Sequence, residues 1–103
     1  MPNYQVGDIV VCKAEWYHKT YNKRGFVEEI IIEPTGGKRN GRYSIYGLEE
    51  NVHGNDIYFG DHNGVELEPT GEKMSIYTIE KYMEKYPTNY GLQEDMKKVK
   101  TLM

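Results

Sequence analysis

The sequence predicts a mainly β domain of the α+β class: a small, closed antiparallel module of about five strands, then one or two C-terminal helices. Three observations predict it. Short runs rich in Val, Ile and Tyr recur between residues 7 and 68, separated by Gly, Asn and Asp clusters, which is the punctuation of an all-β module. An Asn40-Gly41 pair sits between two of these runs, a strong hairpin signal. After Gly71 the apolar spacing switches from strand-like to helix-like.

Residues 8–14, rich in Val and Ile, are the expected first strand. Trp16 to Arg24 is polar and aromatic without a period and reads as a long loop. Gly25 is expected to allow a tight turn into the second strand, Phe26 to Glu33. Apolar residues fall on both faces of that strand, which suggests a β-bulge near Glu28-Glu29. Pro34 to Gly41 is a turn cluster. Arg42 to Leu48 is the third strand, with Tyr43 and Ile45 on one face and Ser44 and Tyr46 on the other. Glu49 to Asn55 reads as an acidic loop, Ile57-Tyr58-Phe59 as a short fourth strand, and Asp61-His62-Asn63-Gly64 as a turn. Val65 and Leu67 alternate with Glu66 and Glu68 in a final short strand, which Pro69-Thr70-Gly71 is expected to end. Ser75 is placed to cap a helix running to about Tyr86, with Ile76, Ile79, Met83 and Tyr86 on one face and Pro87 as its stop. Leu92, Met96, Val99 and Met103 form a second stripe. Its acids come first and its lysines last, in the order the helix dipole favours.

At 103 residues and 38 % hydrophobic composition the chain suffices for one modest core. Ten tyrosines against two phenylalanines favour half-buried rings or a contact surface. Cys12 is the only cysteine, so no intrachain disulfide forms. No apolar run reaches the ~20 residues of a membrane span, and Met1 to Tyr4 carries no signal pattern. These features place the chain in a reducing cytoplasm. Charge is segregated. Residues 1–48 and 73–103 each balance at +2, whereas residues 49–72 hold seven acids and no Lys or Arg.

The opening Val6-Gly7-Asp8-Ile9-Val10-Val11, the long first loop, the hairpin and the closing Val65-Glu66-Leu67-Glu68-Pro69 resemble an SH3-like barrel. Asn22 to Ile30 is weakly similar to the glycine-centred turn of KOW-type members. The resemblance covers about residues 4–70 and implies binding of proteins, peptides or nucleic acids through loop aromatics. The Ala-Leu-Tyr-Asp-Tyr opening and paired tryptophans of Src-homology domains are missing, so Pro-rich peptides are not implied. On this division residues 1–72 are the barrel. Residues 73–103 are a helical extension that either belongs to the same domain or meets a partner or a twin subunit in a homodimer.

Four groups are candidates for function. The loop carrying Trp16, Tyr17 and Tyr21 together with Lys19, Lys23 and Arg24 suits a protein hot spot or base stacking. The structural alternative is that Trp16 covers one open end of the barrel. The hairpin tip carries Lys38, Arg39 and Arg42. The acidic segment, with Glu49, Glu50, Asp56, Asp61, Glu66, Glu68 and Glu72, suits a surface that attracts a basic, nucleic-acid-binding protein. His53, Asp56, Asp61 and His62 match no familiar metal spacing, so no metal and no cofactor is expected. There is no Gly-x-Ser-x-Gly elbow and no Walker-type loop, and the lone Cys12 has no neighbouring His in sequence. The expectation is therefore a noncatalytic accessory regulator or inhibitor, of viral (phage) or mobile-element character. It would bind a basic protein through Trp16, Tyr17, Tyr21, Glu49, Glu50, Asp56 and Asp61. The alternative is nucleic-acid binding through Lys19, Lys23, Arg24, Lys38, Arg39 and Arg42.

Overall fold

The structure, a computed structural model, describes residues 3–49 and 57–103. Five strands, β1 (Asp8–Cys12), β2 (Arg24–Ile30), β3 (Tyr43–Gly47), β4 (Tyr58–His62) and β5 (Leu67–Lys73), form one antiparallel sheet in the order β4-β3-β2-β1-β5. Helices α1 (Ile76–Lys85) and α2 (Tyr90–Leu102) follow. The first four strands make a meander, and β5 returns to pair with β1. That order is compatible with an SH3-like arrangement.

Both faces of the sheet are apolar, and each has its own core. On one face Ile9, Phe26, Tyr46 and Ile57 pack against Ile79, Tyr82, Leu92, Met96 and Val99 of the helices. On the other, Tyr4, Val10, Cys12, Val27, Ile45, Phe59 and Leu67 form a second cluster. Phe59 and Leu67 lie on strands at opposite ends of the order, so the sheet is strongly curved around this second core. The expected face assignment holds along β3: Tyr43 and Ile45 face the curved interior, and Tyr46 faces the helices. The expected bulge is present as a register shift between Val27 and Glu29.

Several boundaries differ from the sequence expectation. Gly25 is no turn residue. It lies within β2, paired with Val10 and Gly47, and a Cβ there would stand 2.7 Å from both Ile45 Cγ2 and the Tyr46 carbonyl oxygen. Close approach of β2 and β3 is what requires glycine. β4 runs on through Asp61 and His62, which pair with Ser44 and Tyr43 in place of the expected turn. Residues Gly64–Glu66 form a 3-10 turn that reverses the expected alternation, leaving Val65 71 % exposed and burying Glu66. β5 then continues through Pro69 to Lys73 as an edge strand, where proline is tolerated.

The helices form as expected. Ser75 caps α1, its Oγ accepting from the Thr78 N–H at 3.1 Å. Asn89 caps α2, accepting from the Leu92 N–H at 3.1 Å. Gln93 Nε2 donates to the Met83 and Tyr86 carbonyls, both at 3.0 Å, and so satisfies the end of α1. Tyr82, which the expected stripe omitted, is buried, and its hydroxyl donates to the Gly47 carbonyl at 2.7 Å. Leu92, Met96 and Val99 are each fully buried against the chain's own sheet. The stripe, weighed in the sequence for the same domain, a partner or a twin subunit, packs on the chain's own sheet. No helix among the described residues is long and apolar enough to cross a membrane.

Candidate functional site

The loop between β1 and β2 is built from its neck outward. The Cys12 N–H donates to the Lys23 carbonyl at 3.0 Å and the Asn22 N–H to the Cys12 carbonyl at 2.7 Å, which closes the neck. Asn22 sits at φ 65, a left-handed conformation that asparagine tolerates better than most residues. Lys13 Nζ donates to Asn22 Oδ1 at 2.6 Å, and the Lys13 N–H donates to the Glu66 carbonyl at 2.7 Å, pinning the loop to the 3-10 turn. Inside the loop the Tyr17 carbonyl accepts from the N–H groups of Thr20 and Tyr21 at 3.0 and 2.9 Å. Ala14 and Thr20 are buried anchors.

This frame divides the aromatics. Tyr17 leans inward, its ring 5.7 Å from that of His62. Trp16, one residue earlier, points outward and is 69 % exposed; Tyr17 is 46 % and Tyr21 38 % exposed. Trp16 therefore does not cover the core, and Tyr17 meets the buried His62 instead. Lys13 Nζ lies 6.0 Å from the centre of the Tyr21 ring.

His62 is fully buried, with Nδ1 3.3 Å from the Gly60 carbonyl and Nε2 without a partner among the described residues. Burial is the main cause that holds its pKa below 6.5. The ring is neutral at pH 7. The Cys12 thiol is pushed up to about 12, mainly by burial and then by Glu66, so it is a protonated core side chain. Among the described residues no group of three or more His, Cys, Asp or Glu could hold a metal ion. His53 and Asp56 of the weighed metal set lie outside the described residues.

The three candidate arginines meet candidate acids. Arg39 and Asp61 form a two-pronged pair at 2.6 and 3.1 Å. Arg24 meets Glu72 at 3.0 Å, and Arg42 stands 3.8 Å from the buried Glu66. Glu49 Oε2 accepts the Arg24 N–H at 2.7 Å. Folding thus partly offsets the segregation in the sequence: three arginines from the first half meet three carboxylates from the acidic segment. Glu50 and Asp56 lie outside the described residues. Lys19, Lys23 and Lys38 have no ion pair among the described residues.

The structure adds a polar group that sequence reasoning missed. The bulge in β2 turns Glu28 inward, where it is buried and accepts from Ser44 Oγ at 2.7 Å. Ser44 Oγ also lies 2.8 Å from the Tyr58 hydroxyl, and the Tyr46 hydroxyl donates to Asp95 at 2.6 Å. Burial, opposed by the Ser44 hydrogen bond, raises the Glu28 pKa to about 7. Perturbed carboxyls mark functional sites often enough to be weighed. Glu28, however, lines neither the cavity of about 350 Å³ between Ile9, Leu48, Met74 and Tyr82 nor the smaller one beside Tyr4 and Pro69. Its partners explain it as a satisfied buried group. The bulge was the available signal, but an adjacent Glu28-Glu29 pair does not show which acid turns in.

The sequence matches no family model and no curated protein, and no solved structure matches the chain.

Proposed function

We propose that this chain is a noncatalytic, SH3-like protein-binding module whose contact face is the loop of Trp16, Tyr17 and Tyr21. One observation carries the reading: a tryptophan 69 % exposed on a loop that is hydrogen-bonded at its neck, its centre and its flank. Exposed tryptophan costs solvation, and ordering it beforehand lowers the entropy lost on binding. Trp and Tyr are the residues that dominate binding hot spots. Exposed Val65 belongs to the same region, because its 3-10 turn holds the Lys13 N–H through Glu66. An accessory regulator or inhibitor working in the cytoplasm is the role this reading assigns.

The test is affinity capture of native partners with and without nuclease, using the natural chain and Trp16→Ala. The variant removes an exposed side chain and should fold normally. It should lose about 2 kcal/mol or more of binding free energy. A nuclease-resistant partner that Trp16→Ala holds as tightly as the natural chain overturns the anchor.

Nucleic-acid binding is the second reading. Lys19, Lys23 and Lys38 are unpaired among the described residues and stacking rings are exposed. Arg24, Arg39 and Arg42, the other half of that set, are already on carboxylates. Capture that disappears on nuclease treatment would put this reading first.

A further inference from the structure

We propose that the Trp16 loop docks an acidic protein segment that also carries apolar side chains, an inference that rests on the protein-binding reading above. The fold sorts its cations by place. Arg24, Arg39 and Arg42 face Glu72, Asp61 and Glu66, and Lys73 faces Asp8. Among the described residues Lys13, Lys19, Lys23, Lys38, Lys85, Lys98 and Lys100 form no ion pair, and the first three share the loop that displays the aromatics. Lys13 and Lys23 flank the neck, where Cys12 is bonded to Lys23, and Lys19 stands near the tip. Lys13 is bonded to Asn22 Oδ1 and lies beside Tyr21, so its charge is held within the aromatic surface. Against these three ammoniums the loop sets one carboxylate, Glu15.

The apolar anchor thus carries a positive rim, while Asp61, Glu66 and Glu72 of the acidic segment already face arginines. Complementary charge sets partner choice and encounter rate. A polyanion is the weaker fit. Nucleic acid needs many unpaired cations along a track, the forked arginine donors suited to phosphate are engaged, and the whole chain carries −3. A short acidic segment needs only the local rim, and its apolar side chains complement Trp16 and Val65.

Trp16 is the chain's only tryptophan, so its emission reports on this surface alone. Three probes separate the outcomes at low salt: a Glu-rich peptide bearing leucines, the same peptide with Lys for each Glu, and oligothymidylate. The Glu peptide should shift Trp16 emission to the blue and bind at least tenfold tighter than the Lys peptide, weakening as salt screens the rim. The double variant Lys19→Glu, Lys23→Glu, at one exposed and one partly exposed side chain, should reverse that preference, with its thermal melt checking that it folds. As an independent arm, the ratio of iodide to caesium quenching of Trp16 should exceed that of free N-acetyltryptophanamide, and the double variant should bring it to or below that reference. Tighter binding of the Lys peptide, or an iodide-to-caesium quenching ratio at or below that of free N-acetyltryptophanamide, overturns the acidic partner and leaves the protein-binding module standing. An emission shift with oligothymidylate alone moves the loop to nucleic acid and overturns both. Silence of Trp16 toward all three probes overturns the acidic partner and leaves the protein-binding module to the capture experiment above.

Discussion

Single side chains here show how burial sets the charge state. Glu28 is held by Ser44 on the helix-covered side of the sheet, with Asp95 and Glu29 raising its pKa further and Lys98 opposing them. A carboxyl whose folded pKa is about 7 against a usual 4.5 binds more protons folded than unfolded. Its contribution to stability is therefore fully present below pH 4.5 and is lost as pH rises to about 7. Glu28→Gln keeps an acceptor for Ser44 and abolishes the ionisation. Urea unfolding should find this variant more stable than the natural chain at pH 8, by on the order of 1–3 kcal/mol, with the gap closing toward pH 5. An unchanged gap across that range would mean that Glu28 is solvated when ionised. His62 acts in the opposite direction. Its folded pKa is lowered, so its contribution is present above pH 6.5 and is lost on acidification. Cys12, fully buried with its thiol pushed up to about 12, should resist a thiol-specific disulfide reagent at pH 8 until denaturant is added. Prompt reaction in the native state would show that the curved core opens readily.

At the scale of elements, what was legible depended on whether a signal was local. The Ser75 cap, the Pro87 stop and the Leu92-Met96-Val99 stripe are local chemistry, and each was readable. The bulge was readable too, because Phe26 to Ile32 cannot put all its apolar residues on one face of a regular strand. The 3-10 turn was not. Val65-Glu66-Leu67-Glu68 alternates like a strand, and that pattern hid the one local signal, Asn63 three residues before Glu66, whose N–H donates to the carboxylate at 2.6 Å; Arg42, 3.8 Å from it, is remote in sequence. The arginine pairs to the acidic segment span 19 residues or more of sequence, so charge counts along the chain do not show them. Gly25 looked like a turn residue because the Cβ contacts that exclude other residues belong to β3. Gly25→Ala should therefore destabilise the sheet by about 1–3 kcal/mol through strand separation, whereas Gly36→Ala, with nothing near but a φ of +67, should cost about 1 kcal/mol. Chemical denaturation of the two variants checks the order. Ser75→Ala should cost about 1 kcal/mol by the same measurement, through the lost bond to Thr78.

The molecule as a whole is held together by a core that the sheet cannot build alone. The sequence divides the chain into a barrel at residues 1–72 and a helical extension that either joins the same domain or meets a partner; Phe26, the centre of the sheet, stacks on Tyr46 at 6.3 Å and meets Tyr82 of α1 edge-on at 5.2 Å. The fully buried Leu92, Met96 and Val99 of α2 complete the same cluster. The radius of gyration, 13.0 Å, is that of a single globule of about this length. Removing the helices would leave Ile9, Phe26, Tyr46 and Ile57 facing water, at about 2 kcal/mol for each large side chain. That is a large share of the roughly 5–15 kcal/mol by which a small domain is stable. A chain ending at Lys73 should therefore fail to give a cooperative thermal transition, even though every strand is present. A chain ending at Thr88, which keeps α1 and Tyr82, should fold at best weakly, because Gln93 no longer closes α1 and three core residues are gone. Circular dichroism melts of both truncations decide this. If the Lys73 chain melts cooperatively near the full-length temperature, the strands are an independent domain and the helices are free for a partner. If it does not, the helices are spent on the fold and their buried stripes are not free for a partner.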